Sequence, residues 1–196
     1  METEPLKLIV GLGNPGPKYA GTRHNAGLWF LEMLARETGQ PLREERKFQG
    51  HYCKTHWLGT DLHLLFPTTY MNRSGQSVKA VADFFKIAPE SILVAHDELD
   101  LPPGTARFKQ GGGHGGHNGL RDMVKHLSSS DFRRLRIGIG HPGDSKQVVN
   151  YVLSTAGKQE TTAIEAALDE AIRALPDGLK GDWSAAMNRL HAYKYE

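Results

Sequence analysis

The chain has 196 residues, 39% of them hydrophobic, which is enough apolar material for one sizeable core and predicts a single domain over residues 1–196. Its formal net charge is only +2, so the overall charge does not by itself indicate a nucleic-acid-binding protein. The sequence contains no uninterrupted run of about eighteen apolar residues, which excludes an ordinary membrane-spanning helix.

The N-terminal third predicts a strand, a helix and a hairpin. Residues 6–10 are a short apolar run closed by glycines, which is typical of a buried strand ending in a tight loop. Residues 26–38 carry apolar side chains at helical spacing, and Gly39 stands where a C-terminal cap belongs. Residues 50–58 and 62–66, separated by a Gly-Thr-Asp turn, predict a β-hairpin.

The remainder alternates helices and strands. Residues 76–86 and 118–127 have helical periodicity, whereas residues 92–95 and 135–140 read as strands. Three closing helices are predicted at residues 146–153, 158–175 and 181–193. This order predicts an α/β fold, a single-domain three-layer sandwich with a mixed, mostly parallel twisted sheet flanked by helices. The functional site is expected at the carboxyl ends of the strands.

The glycine motif at residues 11–16, GLGNPG, matches the dinucleotide-binding pattern G-x-G-x-x-G directly after a strand. However, Pro15, Pro17 and Gly21 delay the following helix, and no acidic residue is placed to bind a ribose. One interpretation is a backbone brought close to another ligand, with the amide of Asn14 at the strand end. The other is that Asn14 only stabilises a turn, and this segment by itself favours the turn.

Polar residues that suit acid–base chemistry follow three predicted strands. His24 precedes the first helix, Asn72 lies in the loop after the hairpin, and Asp97 follows the strand at 92–95. A carboxylate that binds one ring nitrogen of a histidine leaves the other free as a base. The alternatives are a surface or capping role for His24 and a turn role for Asn72. Ser74 is predicted to cap the next helix rather than to act as a nucleophile.

The carboxylates of Glu98 and Asp100 continue the segment that begins at Asp97. We interpret these two as members of a solvated acidic loop.

Residues 111–119 form a glycine-rich segment that contains His114 and His117 and ends in His-Asn at a helix start. Such backbone freedom is typical of a loop that moves or approaches a ligand. A flexible linker is the alternative. A zinc site is disfavoured, because the chain has one cysteine and no matching downstream ligand pair.

Basic residues cluster in the same half of the chain. They are Arg107, Lys109, Arg121, Lys125, Arg133, Arg134 and Arg136. Alternation along a strand places Arg134 and Arg136 on one face, where they could bind a phosphate, and Lys109 could join them from a neighbouring strand. Solvated surface charge is the ordinary interpretation of such a run. The proximity of the polar loops favours an anionic substrate.

Five motifs occur in an order that resembles the bacterial-type peptidyl-tRNA hydrolases. They are GLGNPG at 11–16, Tyr19 with TRHN at 22–25, MNRSG at 71–75, DELDLP at 97–102 and GGHNGL at 115–120. The resemblance extends from about residue 6 to residue 142 and continues more weakly through the C-terminal helices. Phe66 departs from it, because many members place lysine before the proline.

The resemblance implies a monomeric α/β enzyme, without metal or cofactor, that hydrolyses the ester between a peptide and the 3′-terminal ribose of tRNA. In this chain His24 resembles the catalytic base and Asp97 the carboxylate that orients it. The amides that would position peptide, ester and water are those of Asn14, Asn72 and Asn118. The flanking substrate contacts would be Tyr19, Tyr70, Met71 and His117. Lys109 and Arg136 resemble a clamp on the tRNA 5′ phosphate.

Two further features of the sequence predict the cellular compartment. Cys53 is the one cysteine and cannot form an intramolecular disulfide, and residues 1–5 are acidic where a secretory signal would be basic. A cytoplasmic location is therefore expected.

Two rival functions stay open. One is an RNA-binding module without chemistry, which the joint presence of His24, Asp97 and the asparagines disfavours. The other is a zinc-free amidase or peptidase, which would need an activated nucleophile or a metal that the motifs do not supply.

Overall fold

Seven strands and six α-helices make up the part of the chain that the computed structural model describes, residues 4–196. Residues 1–3, part of the acidic N-terminal segment considered above, lie outside the described residues. The strands are β1 (Leu8–Gly11), β2 (Arg43–Glu45), β3 (Gly50–Trp57), β4 (Thr60–Pro67), β5 (Ile92–Glu98), β6 (Ala106–Gln110) and β7 (Arg133–Gly138). The α-helices are α1 (Ala26–Thr38), α2 (Ser74–Phe85), α3 (Asn118–Leu127), α4 (Val148–Val152), α5 (Lys158–Leu179) and α6 (Trp183–Ala192). Over this same stretch, we find no helix with the length and apolar character needed to cross a membrane.

All seven strands form one mixed sheet in the order β2-β3-β4-β1-β5-β7-β6. Its centre is parallel, through the pairings β1–β4, β1–β5 and β5–β7. Its edges are antiparallel, through β2–β3, β3–β4 and β6–β7. The chain leaves β1 through α1 towards the side of the sheet that holds β2, β3 and β4, and it leaves β5 towards β6 and β7 on the other side, so the connections from these two neighbouring strands diverge. Such a switch point opens a crevice at the carboxyl ends of the strands.

The sheet separates two apolar layers. On one side α1, α5 and α6 pack on it, with Phe30 and Leu168 fully buried. On the other side α2 and α3 pack on it, with Val78 and Met123 fully buried. Helices on both faces of one sheet make the predicted three-layer α/β sandwich, and the predicted fold class is confirmed.

The first turn of α1 presses against the carboxyl ends of β1 and β5. A Cβ atom at Gly27 would lie only 2.2 Å from the carbonyl oxygen of Ala95 and 2.7 Å from the amide nitrogen of Leu12. Glycine is therefore required at this close approach. The helix ends at Gly39, whose φ of 80° and amide bonds to the last turn form the predicted C-terminal cap. This packing holds the segment before α1 over the strand ends.

Two short strands were not predicted with bounds, although Lys109 was expected on a strand beside Arg134 and Arg136. β2 and β6 lie at the outer parts of the sheet and are rich in charged residues, so neither carries a buried apolar run. Pairing with β3 and β7 creates them, and the local sequence gives little signal for such tertiary pairing.

Some helix predictions also change. Ser74 is not a cap, because α2 begins at Ser74 itself and its buried hydroxyl donates to the carbonyl oxygen of Met71 at 2.8 Å. The helix predicted to end at residue 175 continues to Leu179 through Pro176. The segment 146–153 is a 3₁₀ turn followed by the short α4.

Candidate active site

A cavity of about 710 Å³ opens at the carboxyl ends of β1, β4 and β5, where the sheet topology places a crevice. The predicted site residues that line it are Asn14, His24, Tyr70, Met71, Asn72, Asp97, Lys109, His117, Asn118 and Arg136. Tyr19, the remaining predicted residue, packs edge-to-face on Tyr70 with 6.5 Å between ring centroids. The fold thus collects residues from well-separated motifs around one cavity.

A buried carboxylate joins two histidines at the centre of the cavity wall. Asp97 is only 4% exposed at the end of β5. Its Oδ2 accepts a hydrogen bond from Nδ1 of His24 at 2.9 Å, and its Oδ1 accepts one from Nε2 of His117 at 2.8 Å. The hydrogen bond at Nδ1 leaves Nε2 of His24 as the nitrogen available to a ligand in the cavity.

His117 is held by both of its ring nitrogens. While Nε2 donates to Asp97, Nδ1 accepts from the backbone amides of Gly119 and Leu120 and so caps α3. His117 was predicted as a direct substrate contact. With both nitrogens engaged, a substrate can touch it through the ring rather than by a new hydrogen bond.

His24, Asp97 and His117 form a hydrogen-bonded triad. Charge and burial have opposite effects on the pKa values of His24 and Asp97 within it. Burial lowers the pKa of His24, but the charge of Asp97 and the hydrogen bond to it have the larger combined effect, so the pKa is raised above 6.5. Burial alone would raise the pKa of Asp97. Favourable electrostatic interactions with the imidazoles of His24 and His117, together with the hydrogen bonds from both, outweigh that effect and hold the pKa of Asp97 well below its usual range. Asp97 is therefore an anion throughout the working pH range.

His96, which the sequence analysis did not single out, lies beside this triad. It is 3% exposed, and its Nδ1 donates to the carbonyl oxygen of Asp97 at 2.8 Å. Burial, followed by the nearby His117, lowers the pKa of His96 to about 4. His96 is thus neutral near pH 7 and adds no positive charge beside His24.

The 3₁₀ turn Arg23–Asn25 holds His24 in place through its two neighbours. The side chain of Asn25 is fully buried. It accepts from the amide of Asn14 at 2.8 Å and donates to the carbonyl of Asn14 at 2.9 Å. Arg23 makes a two-point ion pair with Glu160 at 2.9 and 3.0 Å and donates to the carbonyl of Tyr151 at 3.0 Å. Both residues flank the predicted base within the TRHN motif at 22–25, and that motif is the sequence signal that pointed to them.

The three predicted asparagines differ in how firmly they are fixed. Asn14 is buried, and its Oδ1 accepts from the backbone amide of Met71 at 2.8 Å, so its Nδ2 is a donor oriented by the fold. Asn72 and Asn118 are exposed on the cavity rim, and Oδ1 of Asn118 is 3.4 Å from Arg121. Asn14 is therefore the best-fixed of the three amides.

Basic side chains gather at one end of the cavity, and the structure corrects the prediction that Arg134 helps to bind a phosphate there. Antiparallel pairing sets Lys109 opposite Arg134, and Arg134 alternates with Arg136 on β7, so the three share a face of the sheet. Arg134, however, is 1% exposed and donates to the carbonyl oxygens of Gly112 and Gly113. Arg134 therefore holds the glycine-rich segment through its backbone carbonyl groups and is not placed to bind a phosphate.

Arg136 and Lys109 line the cavity itself. Nε of Arg136 donates to Glu98 at 2.8 Å. The prediction that Glu98 belongs to a solvated loop is wrong, because Glu98 is partly buried and fixes this guanidinium. Asp100 remains exposed, as predicted.

Within the described part of the chain, the three residues of the triad are also close enough together to be candidate metal ligands. One ligand atom from each of His24, Asp97 and His117 lies within 4.8 Å of the others. Their N–O distances of 2.8 and 2.9 Å are those of hydrogen bonds, and the second nitrogen of His117 caps α3. The cluster is thus accounted for by hydrogen bonding. His114, considered above for zinc, accepts from the amide of Gly116 at 3.0 Å in a local turn.

Comparisons with known proteins show the family and the fold of this chain. A family model described as peptidyl-tRNA hydrolase matches residues 8–196. The peptidyl-tRNA hydrolase of Marinobacter nauticus is 62% identical over 191 residues, 97% of each chain. That of Chromohalobacter salexigens is 62% identical over 189 residues, 96% of this chain and 97% of the relative. The crystal structure of peptidyl-tRNA hydrolase from Acinetobacter baumannii superposes with a TM-score of 0.94, at 52% identity and 96% coverage of both chains.

The pairing of Asp97 with His24 makes a prediction that needs no substrate. NMR titration of the His24 ring should give a pKa above 6.5 in the unsubstituted protein, and Asp97→Asn should lower it. The carboxamide keeps the shape but removes the charge that opposes desolvation. Asp100→Asn, which removes an exposed carboxylate nearby, is the matched control and should leave the titration in place. An unchanged His24 titration in Asp97→Asn would show that the pair is not electrostatically coupled.

Proposed function

The chain belongs to the peptidyl-tRNA hydrolase family, and we propose on this premise how its cavity hydrolyses the ester that joins a peptide to the 3′-terminal ribose of tRNA. The enzyme frees tRNA for translation from peptidyl-tRNA. The observation that carries the mechanism is the hydrogen bond from His24 Nδ1 to buried Asp97, within a cavity that is also lined by three asparagines and by Lys109 and Arg136.

His24 is the general base in this proposal. Its Nε2 takes a proton from a water molecule while the water oxygen attacks the ester carbonyl carbon, and general-base assistance of this kind contributes roughly 10²- to 10⁴-fold. Asp97 holds the ring and stabilises the imidazolium. When the tetrahedral intermediate collapses, the C–O bond to the ribose breaks and the 3′ oxygen takes the proton from His24. The products are the peptide acid and tRNA with a free 3′ hydroxyl.

Asn14 is the residue that we assign to the developing oxyanion. Its Oδ1 is committed to the amide of Met71, so Nδ2 can donate into the cavity without reorganisation. A single preorganised donor of this type contributes roughly 10²- to 10³-fold. Asn72 and Asn118, on the rim, would position the peptide and the attacking water.

The remaining predicted residues would shape the rest of the substrate site. Tyr70 and Met71 would contact the substrate directly. Tyr19 would support Tyr70, and His117 would contribute its ring face. We assign Lys109 and Arg136 to the tRNA 5′ phosphate, because Glu98 binds Nε of Arg136 and leaves the end of its guanidinium for a bidentate contact.

We further propose that residues 1–196 act as one domain and as a cytoplasmic monomer that requires no metal or cofactor. The continuous sheet supports the first point. The buried, unpaired Cys53 supports a reducing compartment. Hydrogen bonds that account for the triad without an ion support the last point.

The test of the proposed chemistry is release of tRNA from N-acetyl-aminoacyl-tRNA. His24→Ala should lower kcat by at least about 100-fold, because it removes the base. His56→Ala, at an exposed histidine of β3, is the matched control and should keep the activity. Cleavage should resist EDTA and should spare aminoacyl-tRNA with a free amine. Normal turnover by His24→Ala would refute the assigned base, and tight tRNA binding without cleavage by the unsubstituted enzyme would favour an RNA-binding module.

The phosphate clamp makes a separate kinetic prediction. Lys109→Ala and Arg136→Ala should each raise KM roughly tenfold, the lower end of what a hydrogen bond between charged groups contributes, while changing kcat less. The KM of each variant should also depend less steeply on salt, because one phosphate contact is lost. Lys54→Ala, on the exposed side of β3, is the control. Salt dependence identical to that of the unsubstituted enzyme would contradict the clamp.

A further inference from the structure

The turn that carries Asn72 is anchored at both of its ends. At one end the backbone amide of Met71 donates to Oδ1 of Asn14 at 2.8 Å. At the other end the backbone amide of Gly75 donates to Oδ2 of Asp122 at 2.8 Å. Asn72 is itself exposed on the cavity rim, so these contacts of its neighbours in sequence limit where its side chain can lie. The second anchor comes from a different helix, α3.

Asp122 caps α2 from outside that helix. α2 begins at Ser74 with Arg73 at its N-cap position, and the side chain of Arg73 makes no capping hydrogen bond. The amide of Gly75 is one of the donors that the first turn of a helix leaves unpaired, and a side-chain oxygen at the N-cap usually satisfies such a donor. Here the oxygen comes from the neighbouring helix. Its negative charge at the start of α2 also interacts favourably with the helix dipole.

The two helices are in very close contact at this point. A Cβ atom at Gly75 would lie 2.3 Å from the backbone carbonyl oxygen of Asp122 and 2.8 Å from Nδ1 of His126. The same Nδ1 is 3.3 Å from Oδ2 of Asp122, whose side chain is only 12% exposed. Gly75 is also buried. Because both residues are screened from solvent, loss of this carboxylate would leave the amide of Gly75 unpaired.

α3 is the fixed element in this contact. It begins at Asn118, and its cap His117 donates to the buried carboxylate of Asp97. Asp122 lies four residues after Asn118, about one helical turn along the same helix. The hydrogen bond from Gly75 to Asp122 therefore ties the turn of Asn72 to a helix whose position the catalytic carboxylate already determines.

We propose that Asp122 is a positioning residue for the hydrolysis, which docks the turn of Asn72 on α3 and so sets the place of the Asn72 amide relative to Asn118. The proposal rests on the proposed function of the cavity. Asp122 does not line the cavity, so its effect on the reaction passes through Asn72.

The experiment measures kcat/KM on N-acetyl-aminoacyl-tRNA for Asp122→Ala, Asn72→Ala and the double variant. Asp122→Ala should lower kcat/KM roughly 10- to 100-fold, the effect of moving a substrate-positioning group by about 1 Å. Asn72→Ala should cost at least as much. In the Asn72→Ala background, Asp122→Ala should cost at most about twofold more, because the side chain that it positions is already absent. Asp122→Asn, whose amide oxygen can still accept from Gly75, should keep most of the activity.

Asp182→Ala is the matched control. Oδ1 of Asp182 caps α6 by accepting from the amide of Ala185 at 3.0 Å, on the other side of the sheet from α2 and α3. Asp182→Ala and Asp122→Ala should each lower the Tm by about 2–4 °C, but only the second should lower the activity. If Asp122→Ala is unfolded at the assay temperature, Asp122→Glu displaces the carboxylate instead and should show a partial loss with the same dependence on Asn72.

Two results would overturn the positioning role while leaving the hydrolase intact. One is normal activity of Asp122→Ala, and the other is a double variant in which the losses of the two single variants multiply in full. Failure of the unsubstituted enzyme to cleave the substrate would instead refute the proposed function itself.

Discussion

The structure depends on the burial of one carboxylate. Asp97 lies near the carboxyl end of β5, almost fully removed from solvent, where an unpaired charge would be strongly destabilising. Two imidazoles from segments far apart in sequence satisfy its two oxygens. The strand end, the turn before α1 and the start of α3 must therefore come together as one unit. That requirement fixes the position and tautomer of His24, the group that the chemistry uses.

The surrounding polar contacts extend this constraint. Asn25 locks the backbone of Asn14 beside His24, and Arg23 ties the same turn to α5 through Glu160. Near His117, the buried cation Arg134 donates hydrogen bonds to backbone carbonyl groups. These bonds hold the glycine-rich segment that leads to His117. The glycines of that segment therefore do not make it a free linker. The two apolar layers stabilise the fold, and these hydrogen bonds fix the positions of the polar groups in the site.

The sequence predicted those parts of the structure that are determined by neighbouring residues in the chain. Helix α1 was predicted with its observed bounds because Gly39 supplies a visible cap, and the central strands were found from their apolar runs. Motif order brought His24 and Asp97 to the same cavity. The bounds of β2 and β6 were not predicted, and β6 was anticipated only at Lys109, because strand pairing creates both strands. The burial of Arg134 and the capping role of His117 were missed for a related reason, since backbone groups of a folded loop are their partners and no side-chain pattern records these.

The pH dependence of kcat/KM, measured on N-acetyl-aminoacyl-tRNA for the unsubstituted enzyme and Asp97→Asn, tests the central claim most directly. His24 works as a base only when neutral, so kcat/KM should fall as the pH drops through its raised pKa. In Asp97→Asn, burial acts without the opposing charge. The whole profile should then be lower, and its acidic limb should move to lower pH. An acidic limb at the same pH in both enzymes would contradict the account, because the base would not be the imidazole held by Asp97.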